Sequence, residues 1–176
     1  MPERTRLPPV MPSPERRNPS RFLLEPDYWR ERLSGLGAVS RGLLLFPRPD
    51  LASPVVEVVE WSLRAHDGVR LWGLKGVSAF HPEPKAVWLR EFDGADDPTV
   101  WLEPIYDGCV DFAMQVPPGR RLEDRVLDVL RVWQAAVSTC EVEACKVRLV
   151  ETPGRQPSDA FLIAAELLKQ GLCSLP

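Results

Sequence analysis

Lys146-Val147-Arg148-Leu149-Val150 runs into Glu151-Thr152-Pro153-Gly154-Arg155 and then into Ser158-Asp159-Ala160-Phe161-Leu162-Ile163. The change of pattern along this stretch decides the fold. Val147, Leu149 and Val150 make a short β-type run, Pro153-Gly154 is turn chemistry, and Ser158-Asp159 opens a helix that stays apolar on most faces as far as Leu168. A helix of that kind must be covered on more than one side, so residues 146–168 are expected to be the hub of the core. Many enzymes hold a nucleophile at a corner between a strand and a helix. Here proline and glycine stand where the reactive side chain would be needed.

Working outward, Leu122 to Thr139 places Leu122, Val126, Val129, Leu130, Trp133, Ala136 and Val137 at helical spacing, with Glu123, Asp124, Arg131 and Gln134 on the opposite face. The early acids suit the positive end of the helix dipole. Between Val55 and Val77, alternating runs flank Asp67-Gly68, a hairpin signature because both turn residues tolerate positive φ. Lys85 to Phe92 and Cys109 to Val116 read as strands, and Thr99 to Tyr106 as a weaker one broken by Pro104. Gly42 to Pro47 is a strand or a buried turn. Asp27 is expected to cap a short helix that ends at Gly35 or Gly37 and turns Tyr28, Trp29, Leu33 and Leu36 inward.

These pieces predict an α/β fold with a mixed sheet that begins in an antiparallel hairpin and ends in an α-β-α unit. Residues between Phe92 and Cys109 show no helical pattern, and a parallel crossover takes a dozen or more residues and usually a helix. An α+β antiparallel meander with its helices on one face is therefore the alternative.

The length of 176 residues fits one domain with one core. Hydrophobic residues make up 44% and charged residues 27%, which suits a globular chain, but seven of the 19 prolines fall in residues 1–26. Residues 1–21 are expected to be a flexible Pro/Arg-rich arm, or a strap docked on a neighbouring subunit through Leu7, Val10, Met11, Phe22 and Leu23. Residues 22–176 are expected to be the globular domain. A net charge of -3 and a pI near 5.5 argue against a nucleic-acid-binding surface. No apolar run reaches the ~20 residues of a membrane span, so a cytoplasmic protein is expected, with reduced thiols at Cys109, Cys140, Cys145 and Cys173.

The order of elements resembles the N-terminal half of an α/β-hydrolase, in particular the acetyl-xylan-esterase and dienelactone-hydrolase-like members. Val58-Val59-Glu60-Trp61-Ser62-Leu63-Arg64-Ala65-His66-Asp67-Gly68-Val69-Arg70-Leu71-Trp72-Gly73 looks like the opening hairpin of that family. Leu122 to Leu130 looks like the helix before its nucleophile strand, and Cys145 to Val150 looks like that strand. The resemblance implies a G-x-S-x-G elbow after the strand. Its matching positions are Glu151-Thr152-Pro153-Gly154-Arg155, so Pro153 replaces the serine. The oxyanion-hole loop corresponds to Phe92-Asp93-Gly94, where a carboxylate would oppose a developing oxyanion. The family's histidine follows its nucleophile, and here none follows His81.

No catalytic residue and no cofactor are therefore assigned. Thr152, Gly154, Arg155 and Ser158 are the candidate ligand-binding residues, because open α/β sheets receive anions at the carboxyl end of a strand before a helix N-terminus. Ser158 with Asp159 is expected to cap that helix rather than attack a substrate. His66 and His81 read as exposed loop residues, Cys140 and Cys145 as buried structural thiols rather than half a zinc site, and Glu91, Asp93, Asp96 and Asp97 as a solvated turn rather than a cation site. A non-catalytic hydrolase-like domain, working through protein contacts or as an oligomer subunit, is the expected function. Its motive is the missing catalytic set together with a hub strand expected at the sheet edge. The alternative is a diverged hydrolase, or a small-ligand-binding protein with its pocket near residues 151–159.

Overall fold

The Asp67-Gly68 hairpin joins the two longest strands of the sheet, β2 (Val56–Arg64) and β3 (Arg70–Ser78). The structure is a computed structural model, and it describes residues 24–36, 42–80, 85–94 and 109–172. In the hairpin loop the Gly68 N–H donates to the Ala65 carbonyl at 3.0 Å and the Ala65 N–H to the Val69 carbonyl at 2.8 Å. Gly68 has φ +83°, and Asp67 is not among the positive-φ residues. The loop is thus a turn closed by a left-handed glycine, not the two-residue turn in which both residues are left-handed.

The remaining elements are α1 (Pro26–Ser34), β1 (Leu44–Pro47), β4 (Ala86–Phe92), β5 (Cys109–Gln115), α2 (Leu122–Cys140), β6 (Val147–Leu149) and α3 (Asp159–Lys169). The sheet order is β1-β2-β3-β5-β4-β6. Neighbours from β1 to β5 run antiparallel, whereas β4 runs parallel to both β5 and β6, with Val87 beside Val110 and Val147. The sheet is therefore mixed, the α/β reading holds, and the antiparallel meander is excluded. Strand β6 ends the described sheet.

Helices α1, α2 and α3 share one core with one sheet face. Trp61, Leu63, Leu89, Phe112 and Leu149 meet Trp29, Leu33, Leu130, Trp133, Phe161 and Leu162 there. On the other face Val56, Val58, Leu74, Phe92 and Ala113 form a smaller cluster. Trp61 stacks on Phe112 with centroids 5.1 Å apart and planes 18° apart. This stack needs Gly73: a Cβ there would lie 1.8 Å from the Ala113 carbonyl oxygen and 2.6 Å from the Trp61 ring.

Several local expectations change. Helix α1 starts at Pro26, whose missing N–H costs nothing in a first turn. Glu25 is therefore the N-cap, and Asp27 lies one step inside, bonded to Arg30 at 2.5 Å. Gly35 does close the helix. Of the two readings of Gly42–Pro47 the strand holds and the buried turn does not, for β1 is exposed at all four residues. Arg131, expected on the polar face of α2, is buried, because its guanidinium donates to the Leu36 carbonyl at 3.2 Å. The arm at 1–21, the run Thr99–Tyr106 and residues His81, Asp96, Asp97 and Cys173 lie outside the described residues.

Candidate functional site

The parallel strands β4, β5 and β6 end together, and the hub connection crosses their carboxyl end. After β6 the Val150 N–H still donates to the Leu89 carbonyl at 2.9 Å. Thr152-Pro153-Gly154-Arg155 then folds as a tight turn, with the Arg155 N–H on the Thr152 carbonyl at 3.1 Å and Gly154 at φ +75°. Proline second and a positive-φ glycine third is the type II pattern. In a nucleophile elbow the strained residue is the serine. Here the strain-free glycine takes the left-handed position, and Pro157 and Ser158 follow before α3 begins.

The turn is bound to the end of β4. The buried Thr152 hydroxyl donates to the Glu91 carbonyl at 2.5 Å. The Glu91 carboxylate accepts from the Ser158 N–H at 2.5 Å and from the Ser158 hydroxyl at 2.9 Å. Ser158 Oγ also accepts from the Phe161 N–H at 3.3 Å, so the predicted cap on α3 is present. The anion at this helix N-terminus is therefore the protein's own carboxylate, placed where partial positive charge favours it. Burial raises the Glu91 pKa, opposed by its two bonds to Ser158 and by the Arg155 and Arg125 charges. Arg155 pairs with Asp93 at 2.8 Å, which ties the hub turn to the residue after β4.

The four candidate ligand residues thus lie on one connection, with Thr152 and Ser158 turned to Glu91, Arg155 to Asp93, and Gly154 open to solvent. Beside them a small hollow lined by Glu91, Met114, Val116, Arg125, Val129 and Ser158 has room for little more than a water molecule.

Glu91 was expected in a solvated turn and is instead almost fully buried at the end of β4. The available signal was two charges, Arg90-Glu91, inside an otherwise apolar strand, which in a central strand must each point into one face. Arg90 faces the other way and pairs with buried Asp111 at 2.5 Å. Burial pushes the Asp111 carboxyl up to about 6 against the pull of that guanidinium. Among the described residues no group of three or more His, Cys, Asp or Glu side chains suits a metal ion.

A second charged group sits at the same end of the sheet, where the hairpin loop meets the start of α2. Arg120 grips both oxygens of buried Asp128 at 2.6 and 2.8 Å and reaches Asp67 at 2.5 Å. His66 is not a free loop side chain, for its Nε2 lies 3.2 Å from Asp124. Cys140 is buried as expected, but Cys145 is exposed, because the short helical turn Ala144–Lys146 carries it outside the core.

This topology, hairpin first and parallel strands around a strand-turn-helix corner, is an α/β-hydrolase-like fold. Acetyl xylan esterase from Paenibacillus sp. R4 has a similar structure, with a TM-score of 0.58 and 17% identity over 76% of this chain and 52% of the esterase. The chain spans about half the length of that enzyme. No sequence profile of a known family matches it, and neither does any curated protein. At this identity the likeness is one of fold. Among the described residues, no helix is long and apolar enough to cross a membrane.

Proposed function

We propose that this is a non-catalytic hydrolase-like domain that works through protein contacts, as an oligomer subunit or with a protein partner. The observation that carries the reading is the Glu91 carboxylate seated on Ser158 at the N-terminus of α3. An acyl-transfer site needs that region free for a nucleophile and a developing oxyanion. Here Pro153-Gly154 forms the corner and an internal anion occupies the helix end.

A second reading rests on the same pair. The Ser158 hydroxyl donates to a carboxylate whose proton affinity is raised by burial, beside Arg125, and Thr152, Gly154 and Arg155 flank it. This arrangement favours a diverged hydrolase or a small-ligand site near residues 151–159. A panel of aryl and acetyl esters, assayed with wild type and Ser158→Ala, separates the readings. The non-catalytic reading expects no turnover above background in either protein. Turnover that vanishes in a folded Ser158→Ala variant overturns it. Light scattering and a pull-down address the contact half, where a strict monomer with no retained partner counts against it.

A further inference from the structure

Two strands end the described sheet, and they differ in chemistry. Strand β6 presents exposed Arg148 and follows exposed Lys146. Strand β1 presents Leu44, Leu45 and Phe46, exposed by 57%, 47% and 47%. Charged edges discourage pairing, and apolar ones invite it. Pairing β6 with itself through Arg148 would set one guanidinium against its twin.

We infer that β1 is a homodimer contact in which Leu44–Pro47 pairs antiparallel with the same strand of a second copy about a two-fold axis at Leu45. The inference rests on the protein-contact reading above and names the partner. The register comes from the backbone. The Arg48 N–H donates to the Val58 carbonyl at 2.8 Å, continuing a ladder in which Leu44 lies opposite Ser62 and Phe46 opposite Glu60. Antiparallel ladders alternate, so residues 44, 46 and 48 bond to β2, and residues 43, 45 and 47 turn their main-chain groups outward. Pro47, which has no N–H, therefore costs the β2 ladder nothing, as expected of proline on an edge strand.

A two-fold axis at Leu45 uses every outward donor on this short strand. Leu45 exchanges both bonds with Leu45 of the second copy, and each Leu43 N–H meets the Pro47 carbonyl opposite. Leu44 then faces Phe46 of the second copy in the close, non-hydrogen-bonded type of pair, where apolar side chains contribute most to pairing. Arg48 falls opposite Gly42, so no like charges are opposed there. The surface is self-complementary, as an isologous contact requires. It is much smaller than the ~800 Å² per partner of a stable complex, so the dimer forms and dissociates with concentration.

The test uses the full chain. A hydrogen-bonded antiparallel pair sets Cα atoms about 5.5 Å apart, within disulfide reach. Leu45→Cys should give a covalent dimer under mild oxidation that wild type, with the same native cysteines, does not. Sedimentation velocity should show a concentration-dependent dimer for wild type and a monomer for Leu45→Pro, which deletes an outward N–H and no bond to β2. If Leu45→Pro fails to fold, the cross-link decides alone. A dimer that survives Leu45→Pro without a Leu45→Cys cross-link overturns the β1 contact and leaves the protein-contact reading standing. A wild type that stays monomeric at all concentrations overturns this dimer, and the pull-down then decides the broader reading.

Discussion

At Gly73 the sheet tolerates no side chain. A methyl group would meet the Ala113 carbonyl at 1.8 Å and the Trp61 indole at 2.6 Å, and neither a backbone carbonyl nor a stacked ring can step aside cheaply. Gly73→Ala should lower the unfolding free energy by at least the ~1–3 kcal/mol of overpacking, read from the urea midpoint at constant slope. Gly154→Ala meets no atom within 4 Å and should cost only the strain of its positive φ, about 1 kcal/mol. The sequence marks both glycines but not this difference. Gly154 sits beside Pro153 in plain turn chemistry, whereas Gly73 is crowded by residues distant in the chain. The site divides in the same way. Pro153 in the serine's place and the Ser158 cap are local features, and both are visible in the string. Glu91 on Ser158 and Asp93 on Arg155 are contacts between β4 and the hub connection, which periodicity cannot register.

Among the elements, Arg120 ties the β2–β3 loop to α2, beside the His66–Asp124 contact. Its guanidinium holds the carboxylate of Asp128, which is 1% exposed, and also reaches Asp67. Arg120→Ala would strand a buried carboxylate, and removing one partner of such a pair typically costs about 3–5 kcal/mol. Chemical denaturation should show that loss, and adding Asp128→Asn should recover part of it. The hairpin and the long helix were each legible from their periods, 2 and 3.6, but their junction was not. The direction of β5 separates the expected mixed sheet, which holds, from the antiparallel alternative. Residues 93–108 lack a helical pattern, so parallel pairing of β4 with β5 had no local signal, and it became evident only from the register of Val87 beside Val110. Helix α1 was read correctly in extent, while its cap was misplaced because proline at its first position outranked Asp27.

For the whole molecule, three buried carboxyls set an unusual pH response. Burial is the largest cause raising Asp111, Glu91 and Asp128. A folded-state pKa above the unfolded value means that the folded chain binds the proton more tightly. Stability is then greatest below the unfolded pKa and falls as pH rises towards the folded one. For Asp111 that window runs from 3.8 to about 6, with a slope of roughly 1.4 kcal/mol per pH unit at most. Asp50 and Asp67, held low by Arg48 and Arg120, act in the opposite direction at more acidic pH. Urea titrations from pH 4 to 6 should show wild type losing more stability with rising pH than Asp111→Asn does. An identical slope in both proteins would remove Asp111 from this account. The placement of β4 also governs the order of assembly. Its apolar residues receive one neighbour from β5 and the other from β6, which lies on the far side of α2 in the chain. The β2–β3 hairpin can close as soon as it leaves the ribosome, but Val87 and Leu89 wait for Val147 and Leu149. Because such long loops close late and slowly, β4, the strand beside the β6 edge, is sealed on its second side only after α2 has been made.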